Sequence, residues 1–474
     1  MNKLIPAIKA GYPYFYAQSF EMSRSIEIIT KEVEEYGKLE IKTWDFTDTP
    51  DPMEVIQILE KNNSILIGKN FNWFLKDEYN VINKDIVSYL QNNVDKFSSA
   101  EARQVLIIIS NDSFSKAIPE VLQKDFFSLD FNFPDENEIE KILNKIIDDV
   151  KGNPNFIEPN EEEKKKIILS SKGLTRRELV NGYSFAIVKD KGKILPETIA
   201  ELQAKEIEKT AGLKIGRYTD SFDMLKGYDN LKEFCLSTIY SNLAKGIMIL
   251  GPPGTGKTQF CKCLGAETKM KVIEMEMAEL FGSLVGESER LMKDALEIIS
   301  TNSPCILFID EIEKGLAGVN SNQTGDGGTT KRSMGQFLKF LSDSRPKGIY
   351  VIATCNNIAS LPPEWIRAER WDCAPFFIDL PSEEEQEAIL DHYKKFYTVK
   401  GDPKTMEGWS GAEVKACCRI ASMMGKSLNE VEKFIVPISK TMATEIDQLR
   451  KWSAGKTIPA SILKEKKKGR RIDI

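Results

Sequence analysis

Histidine is nearly missing from this 474-residue chain: there is one, His392. A histidine metal cluster is thereby excluded, and histidine general-base chemistry is disfavoured. The eight cysteines follow no metal-ligand spacing; Cys261 and Cys263 are two apart, Cys417 and Cys418 are adjacent, and the rest are scattered. Reduced thiols in a cytoplasmic setting are the expectation. Long apolar runs are missing too. None approaches the roughly 20 residues that span a bilayer, and the N-terminus has no signal-peptide pattern, so no membrane partner is expected. Nor is there an excess of positive charge: 65 Lys and Arg against 71 Asp and Glu leave a net charge of −6, which does not point to nucleic acid. The basic run Lys464-Glu465-Lys466-Lys467-Lys468-Gly469-Arg470-Arg471 is short and terminal, and reads as a solvated, mobile end. The length allows two or three domains with ample core.

Against these absences stands one dense motif, Gly251-Pro252-Pro253-Gly254-Thr255-Gly256-Lys257-Thr258. The apolar run Gly246-Ile247-Met248-Ile249-Leu250 before it predicts a buried strand, and a helix is predicted after it, which is the context of a phosphate-binding loop. Glycines let successive backbone N–H groups curl around an anion, and the helix N-terminus adds partial positive charge. Lys257 would reach the terminal phosphates of a nucleoside triphosphate, and the Thr258 hydroxyl would hold Mg²⁺. A second apolar strand, Cys305 to Ile309, ends in Asp310-Glu311. Asp310 would complete the Mg²⁺ site, and Glu311 could polarise the attacking water. A third, Ile349 to Thr354, leads to Asn356, placed to orient that water. An Asn at a strand tip is also a common turn former. Farther on, Arg367 and Arg370 are three apart and fall on one helix face. They are either a solvated charged face or arginine fingers that reach a neighbouring subunit's γ-phosphate; the motifs upstream favour fingers.

In this order, the motifs resemble those of an AAA+ ATPase, and the likeness covers residues 222–455. Gly227-Tyr228-Asp229-Asn230-Leu231-Lys232 resembles the entry segment that lies against the adenine. Gly408-Trp409-Ser410-Gly411-Ala412-Glu413-Val414 resembles the lid-helix start of the clade that has Gly-Ala where others carry a sensor-2 arginine. Ser303 to Lys314 and Leu361-Pro362-Pro363-Glu364 are similar to the AAA+ ATPases of algal plastids and cyanobacteria, a subgroup of poorly defined role. The resemblance implies ATP and Mg²⁺ as ligands, a homo-oligomeric ring of six subunits, a protein partner, and a cytoplasmic or stroma-like compartment.

Two departures from the family pattern stand out. Where ring unfoldases put an aromatic residue on a pore-facing loop, the segment Gly282 to Glu289 has Leu284, followed by Val285. Leu284 is either a core leucine or a pore residue with a weaker, more selective grip than an aromatic. Where the family often has a His near the adenine, Tyr393 stands instead, one residue after His392. The polar piece Gly315 to Thr330 follows Asp310-Glu311 where the family has a second pore loop, and Arg332 after it is either a sensor of a neighbour's nucleotide or a surface arginine.

The N-terminal half repeats the pattern without its chemistry. Phe131-Asn132-Phe133-Pro134 through Leu143 parallels Ile378-Asp379-Leu380-Pro381 through Leu390, with the same nine-residue step from Pro to Leu. Gly173 to Glu178 parallels Gly408 to Glu413, Val105 to Asn111 parallels the strand ending at Asn356, and Pro119-Glu120 parallels Pro363-Glu364. Four matches in one order make an internal repeat. Yet the first strand, Tyr14 to Gln18, is followed by Ser19-Phe20-Glu21-Met22, with neither glycine nor lysine. Ser64 to Ile67 leads into Gly68-Lys69-Asn70 rather than an acidic pair, and Gln123 and Phe126 stand at the finger positions. This half should not hydrolyse ATP; an unrelated α/β domain is the alternative.

The expected fold is α/β. A degenerate AAA-like domain with its own lid (1–195) is followed by a helix and linker (196–221). An ATPase core with a parallel sheet and flanking helices (222–395), a helical lid (396–458) and the basic tail (459–474) complete the chain. The charged stretch Asn153 to Lys166 is expected as an exposed insertion in the first lid. The expected activity is ATP hydrolysis that remodels, disassembles or threads a protein partner; the alternative is a nucleotide-gated scaffold that threads nothing.

Overall fold

The computed structural model describes residues 3–19, 21–37, 39–45, 51–57, 63–76, 81–99, 103–112, 114–281, 287–316, 327–358 and 361–461. The chain divides into two compact units, Met1–Ala200 and Glu201–Ile474. Both are α/β, with a largely parallel sheet between helices and a helical lid after it.

In the first unit the strands β1 (Tyr14–Gln18), β2 (Glu40–Trp44), β3 (Ser64–Lys69), β4 (Gln104–Ser110) and β5 (Phe126–Asp130) form an all-parallel sheet in the order β2-β3-β4-β1-β5. In the second, β6 (Leu213–Gly216), β7 (Gly246–Leu250), β8 (Lys271–Met275), β9 (Cys305–Ile309), β10 (Ile349–Cys355), β11 (Phe376–Phe377) and β12 (Ile458–Pro459) run in the order β12-β11-β7-β10-β9-β8-β6. With the edge strands β12 and β6 set aside, the two orders are the same, strand for strand. The repeat read from short sequence matches is thus present in the topology, and β4 and β10, aligned there by their apolar runs, are equivalent strands.

The central strands read as continuous apolar runs because both of their faces are covered. Every residue of β7, β9 and β10 is buried. Alternate residues serve opposite faces: Met248, Leu250, Leu307, Ile309, Val351 and Ala353 enter one core cluster, while Ile247, Ile249, Ile306, Phe308, Tyr350 and Ile352 enter the other.

Each lid is a separate apolar cluster started by capped helices. In the second unit Ser382 with Glu385 caps Glu383–Tyr397, and Ser410 with Glu413 caps Gly411–Met424. In the first, Asp135 caps Glu136–Val150, and Thr175 with Glu178 caps Arg176–Lys189. No helix among the described residues is long and apolar enough to cross a membrane.

Three expected boundaries move. The segment expected as a linker supplies β6, an antiparallel edge strand on β8, because four residues are too few to show a period. The second lid begins at Glu383 rather than 396, since Ile389 and Leu390 pack with Val414, Cys417 and Leu428 in the lid cluster. The tail expected from 459 begins later: Pro459 lies in β12, which pairs with β11, and Ala460 is buried. In the first lid the charged stretch is not all insertion, for Glu161–Ser170 is a helix that buries Ile167.

The first lid is tied to its core by charge. Arg24, in the first turn of the helix Met22–Tyr36, donates to both carboxylate oxygens of Glu138 (Nε 2.9 Å, Nη2 2.8 Å) and to the Asn132 carbonyl (2.7 Å). Arg176 pairs with Glu27, and the Arg177 N–H donates to Glu21 (3.2 Å). The Arg24 side chain is 10% exposed, so the planar fork is held in a protected place. Arg24→Ala is expected to cost about 1–3 kcal/mol in urea unfolding of the first unit. Arg24→Lys should fail to restore the midpoint, because an ammonium cannot span both oxygens.

Candidate nucleotide site

The phosphate-binding loop leaves the carboxyl end of β7, between the tips of β10 and β11, where open α/β sheets present a ligand crevice. The helix Lys257–Thr268 starts directly after it, so unsatisfied first-turn N–H groups face the loop. Gly254 and Gly256 have φ of +76° and +95°. A Cβ on Gly254 would stand 2.9 Å from Ser410 Oγ, and one on Gly256 2.7 Å from Tyr228 Oη. The turn demands glycine at both places for conformation and for space.

A cavity of about 340 Å³ opens on this loop. It is lined by Pro253 through Thr258, Asp310, Glu311 and Asn356, and by Gly227 and Tyr393, so these sequence-predicted residues do converge. Gly251 and Pro252 are not in its lining; they act from behind, through carbonyls that each accept from Lys257 Nζ at 2.8 Å. Lys257 is 5% exposed, and burial pushes its pKa down from the ordinary 10.5 to about 8.

The acidic end is tightly ordered. Thr258 Oγ1 lies 3.0 and 3.1 Å from the two carboxylate oxygens of Asp310. Thr354 Oγ1 donates to Asp310 Oδ1 (2.6 Å) and accepts from the Glu311 N–H (2.8 Å). Glu311 has φ +47°, a left-handed conformation costly for a side chain with a Cβ. Its carboxylate is engaged on both oxygens, by Asn356 Nδ2 (2.7 Å) and by Lys314 Nζ. Asn356 also donates its N–H to Glu313 (2.8 Å). Its amide oxygen is buried with no hydrogen-bond partner among the described residues. The hydroxyl–carboxylate pair suits a hard divalent cation, and the buried lysine with the glycine turn suits a phosphate. The residues present therefore fit a nucleotide with Mg²⁺.

Arg367 and Arg370 are not among the cavity's lining residues. They do not share a regular helix: Pro363–Ile366 and Ala368–Arg370 are separate 3-10 turns with extended backbone at Arg367. The Arg370 N–H donates to the Arg367 carbonyl (3.1 Å), and the turn is anchored by buried Trp365 and Trp371, whose Nε1 donates to the Trp365 carbonyl (2.7 Å). Arg332 pairs with Glu289. Leu284 and Val285 lie outside the described residues, as does most of Gly315 to Thr330.

Thr354, Glu313, Lys314 and Glu385 were not read from the sequence as site residues, and Tyr228 only as part of the segment expected against the adenine. Thr354 had a usable signal: it lies two residues before Asn356, on the same side of β10, and is polar where the rest of the strand is apolar. Tyr228 donates its hydroxyl to the Thr255 carbonyl and stacks on Phe260 at 5.9 Å, so it braces the loop from below.

Residues 247–377 match the family model described as ATPase family associated with various cellular activities (AAA), and residues 1–131 match that of the SpoVK-like AAA ATPase, N-terminal domain. The chain carries an AAA ATPase domain behind a SpoVK-like N-terminal domain. It is similar to the uncharacterized AAA domain-containing protein ycf46 of Trieres chinensis, 27% identical over 96% of each chain, and to that of Guillardia theta, 28% identical over 96% of this chain and 95% of the relative. It is also similar to proteasome-activating nucleotidase 1 of Haloferax volcanii, 30% identical over 40% of this chain and 48% of that protein. The AAA domain accounts for nucleotide binding and for ATPase activity as a class.

The depressed pKa of Lys257 has a measurable consequence. A bound triphosphate favours the ammonium form, so binding raises the pKa and draws in a proton wherever the free amine is partly neutral. ATPγS binding followed by calorimetry at about pH 8.5, in two buffers of different ionisation enthalpy, should show proton uptake, and affinity should fall as pH rises through about 8. Lys257→Met should remove both effects along with most of the affinity.

Proposed function

We propose that this chain is a Mg²⁺-dependent ATPase that works as a ring of identical subunits, six in number, and remodels a protein partner, with each active site completed by Arg367 and Arg370 of the neighbouring subunit. The observation that carries this reading is the geometry of the cavity. It gathers Lys257, Thr258, Asp310, Glu311 and Asn356, but not the two arginines. Similarity to a nucleotidase named for activating a proteasome supports a protein partner.

The residue roles follow from the contacts. Thr258 and Asp310 would hold Mg²⁺, whose charge would offset that developing on the transferred phosphoryl oxygens. Lys257, already desolvated, would give its charge to the terminal phosphates. Glu311 is the base that would take a proton from the attacking water, but only once its carboxylate leaves Asn356 and Lys314. Asn356 would then turn its free amide oxygen and released Nδ2 to that water. Arg367 and Arg370, carried on a turn stiffened by two tryptophans, would supply positive charge from across the subunit boundary.

A second reading, a nucleotide-gated scaffold that threads nothing, is favoured by the charged ties that hold the first lid to its core without nucleotide.

Glu311→Gln is expected to cut ATP turnover by at least about 100-fold while leaving ATP binding intact; turnover that survives this change overturns the assignment. Mixing Glu311→Gln subunits with Arg370→Ala subunits, each inactive alone, should restore part of the rate, because some sites then pair an intact Glu311 with an intact neighbouring arginine. Absence of recovery in verified mixed rings counts against completion in trans. Leu284→Ala separates the two readings: remodelling requires partner-stimulated turnover that this change abolishes, whereas a scaffold keeps its turnover.

A further inference from the structure

The last strand, β12, lies beyond the segment that matches the AAA family model, yet Ser461, two residues after it, lines the nucleotide cavity. It is stitched down on both sides. Ile458 N–H donates to the Pro375 carbonyl (2.9 Å) and Ala460 N–H to the Phe377 carbonyl (3.0 Å). The Pro459 carbonyl accepts from Asn230 Nδ2 (2.8 Å), and the Ala460 carbonyl from the Leu231 N–H (3.2 Å). These bonds deliver Ser461 to the cavity wall, where its hydroxyl donates to the Gly227 carbonyl and stands 3.2 Å from Glu385 Oε1. Glu385 in turn caps the first lid helix of this unit by accepting from the Ser382 N–H with its other oxygen (2.8 Å).

Gly227 is the wall residue most in need of such a tie. Its φ is +82°, and a Cβ there would stand 2.2 Å from Glu385 Oε1 and 3.1 Å from Ser461 Oγ. No residue but glycine fits, and glycine is the residue whose backbone wanders most when nothing holds it.

We propose that Ser461 is a positioning residue of the nucleotide site: carried on the β12 strap, it fixes the Gly227 peptide and joins it to the first lid helix through Glu385 before nucleotide arrives. Affinity for nucleotide therefore depends on a segment more than 80 residues downstream of the matched domain. The strap does not touch Glu311 or Asn356, so its effect falls on binding rather than on the chemical step.

This inference rests on the nucleotide reading of the cavity. It is tested on the full-length protein by ATPγS calorimetry together with steady-state ATPase kinetics. Ser461→Ala should raise the ATPγS Kd and the ATP KM about three- to ten-fold, the loss of one hydrogen bond that organises the site, while kcat changes by less than about twofold. Ser461→Thr, which keeps the hydroxyl, should restore both constants. Asn230→Ala, which frees the strap at Pro459, should shift Kd in the same direction. Unchanged Kd and KM in Ser461→Ala overturn the proposal. So does a parallel loss of kcat and affinity that Thr does not rescue, since that marks a merely structural strand. A wild-type protein that neither binds ATPγS nor hydrolyses ATP would instead sink the function proposed above and leaves its own distinct signature.

Discussion

The buried hydroxyl of Thr354 donates to the Asp310 carboxylate and accepts the backbone N–H of Glu311, so one oxygen sets both acidic residues. That bond exists because β10 lies between β7 and β9 in fixed register, with Ala353 opposite Ile309 and Cys355 opposite Leu250. The consequences spread from there. Asp310 faces Thr258 at the foot of the loop helix, Glu311 is held at a φ it would not choose, and Asn356, two residues past Thr354, meets the Glu311 carboxylate. A slip of one residue in this pairing would turn Thr354 to the other face and dissolve the acidic end of the site. The arrangement of these acidic residues is thus a property of strand register, and the apolar packing on both faces of the sheet is what secures that register.

Much of this was legible in the sequence, for a physical reason. Strands buried on both faces must be apolar throughout, so Gly246 to Leu250, Cys305 to Ile309 and Ile349 to Thr354 announce themselves, and the chemistry sits where each run stops. The loop is legible because only glycine tolerates the conformations at 254 and 256. What was not legible is whatever depends on distant pairing. β6 and β12 are four and two residues long and exist only because β8 and β11 offer edges. Ser461 looked like the start of a tail, since nothing near it in sequence announces Gly227. Lys314 was given no role of its own in the sequence, and only the geometry brings it to Glu311.

The two units show how far one topology can be kept while its reason for closing changes. In the second, the lid helix N-terminus touches the loop through a backbone bond, the Ala412 N–H to the Gly254 carbonyl at 3.1 Å. In the first, the N–H at the equivalent place, Arg177, meets the carboxylate of Glu21 instead. Only three residues of sequence separate β1 from the helix Met22–Tyr36, too few to wrap a phosphate, and Glu21 among them would repel one. Arg24, in the first turn of the helix that follows, finds its anion in Glu138 of the same unit.

This exchange decides how each lid can move. A lid held by side-chain ion pairs to its own core is held without a ligand. A lid that meets its core across a cavity responds to what fills the cavity, since the free energy of binding is spent on one arrangement of the walls rather than another. The second unit has the features of such a responsive wall: Glu385 caps its first lid helix and also reaches Ser461, which holds Gly227 beside the cavity. A displacement of that helix must therefore be felt at Gly227, and a change at Gly227 must be felt by the lid. The first lid is thus tied to its own core by Arg24, whereas the second is joined through Glu385 to a residue that lines the cavity.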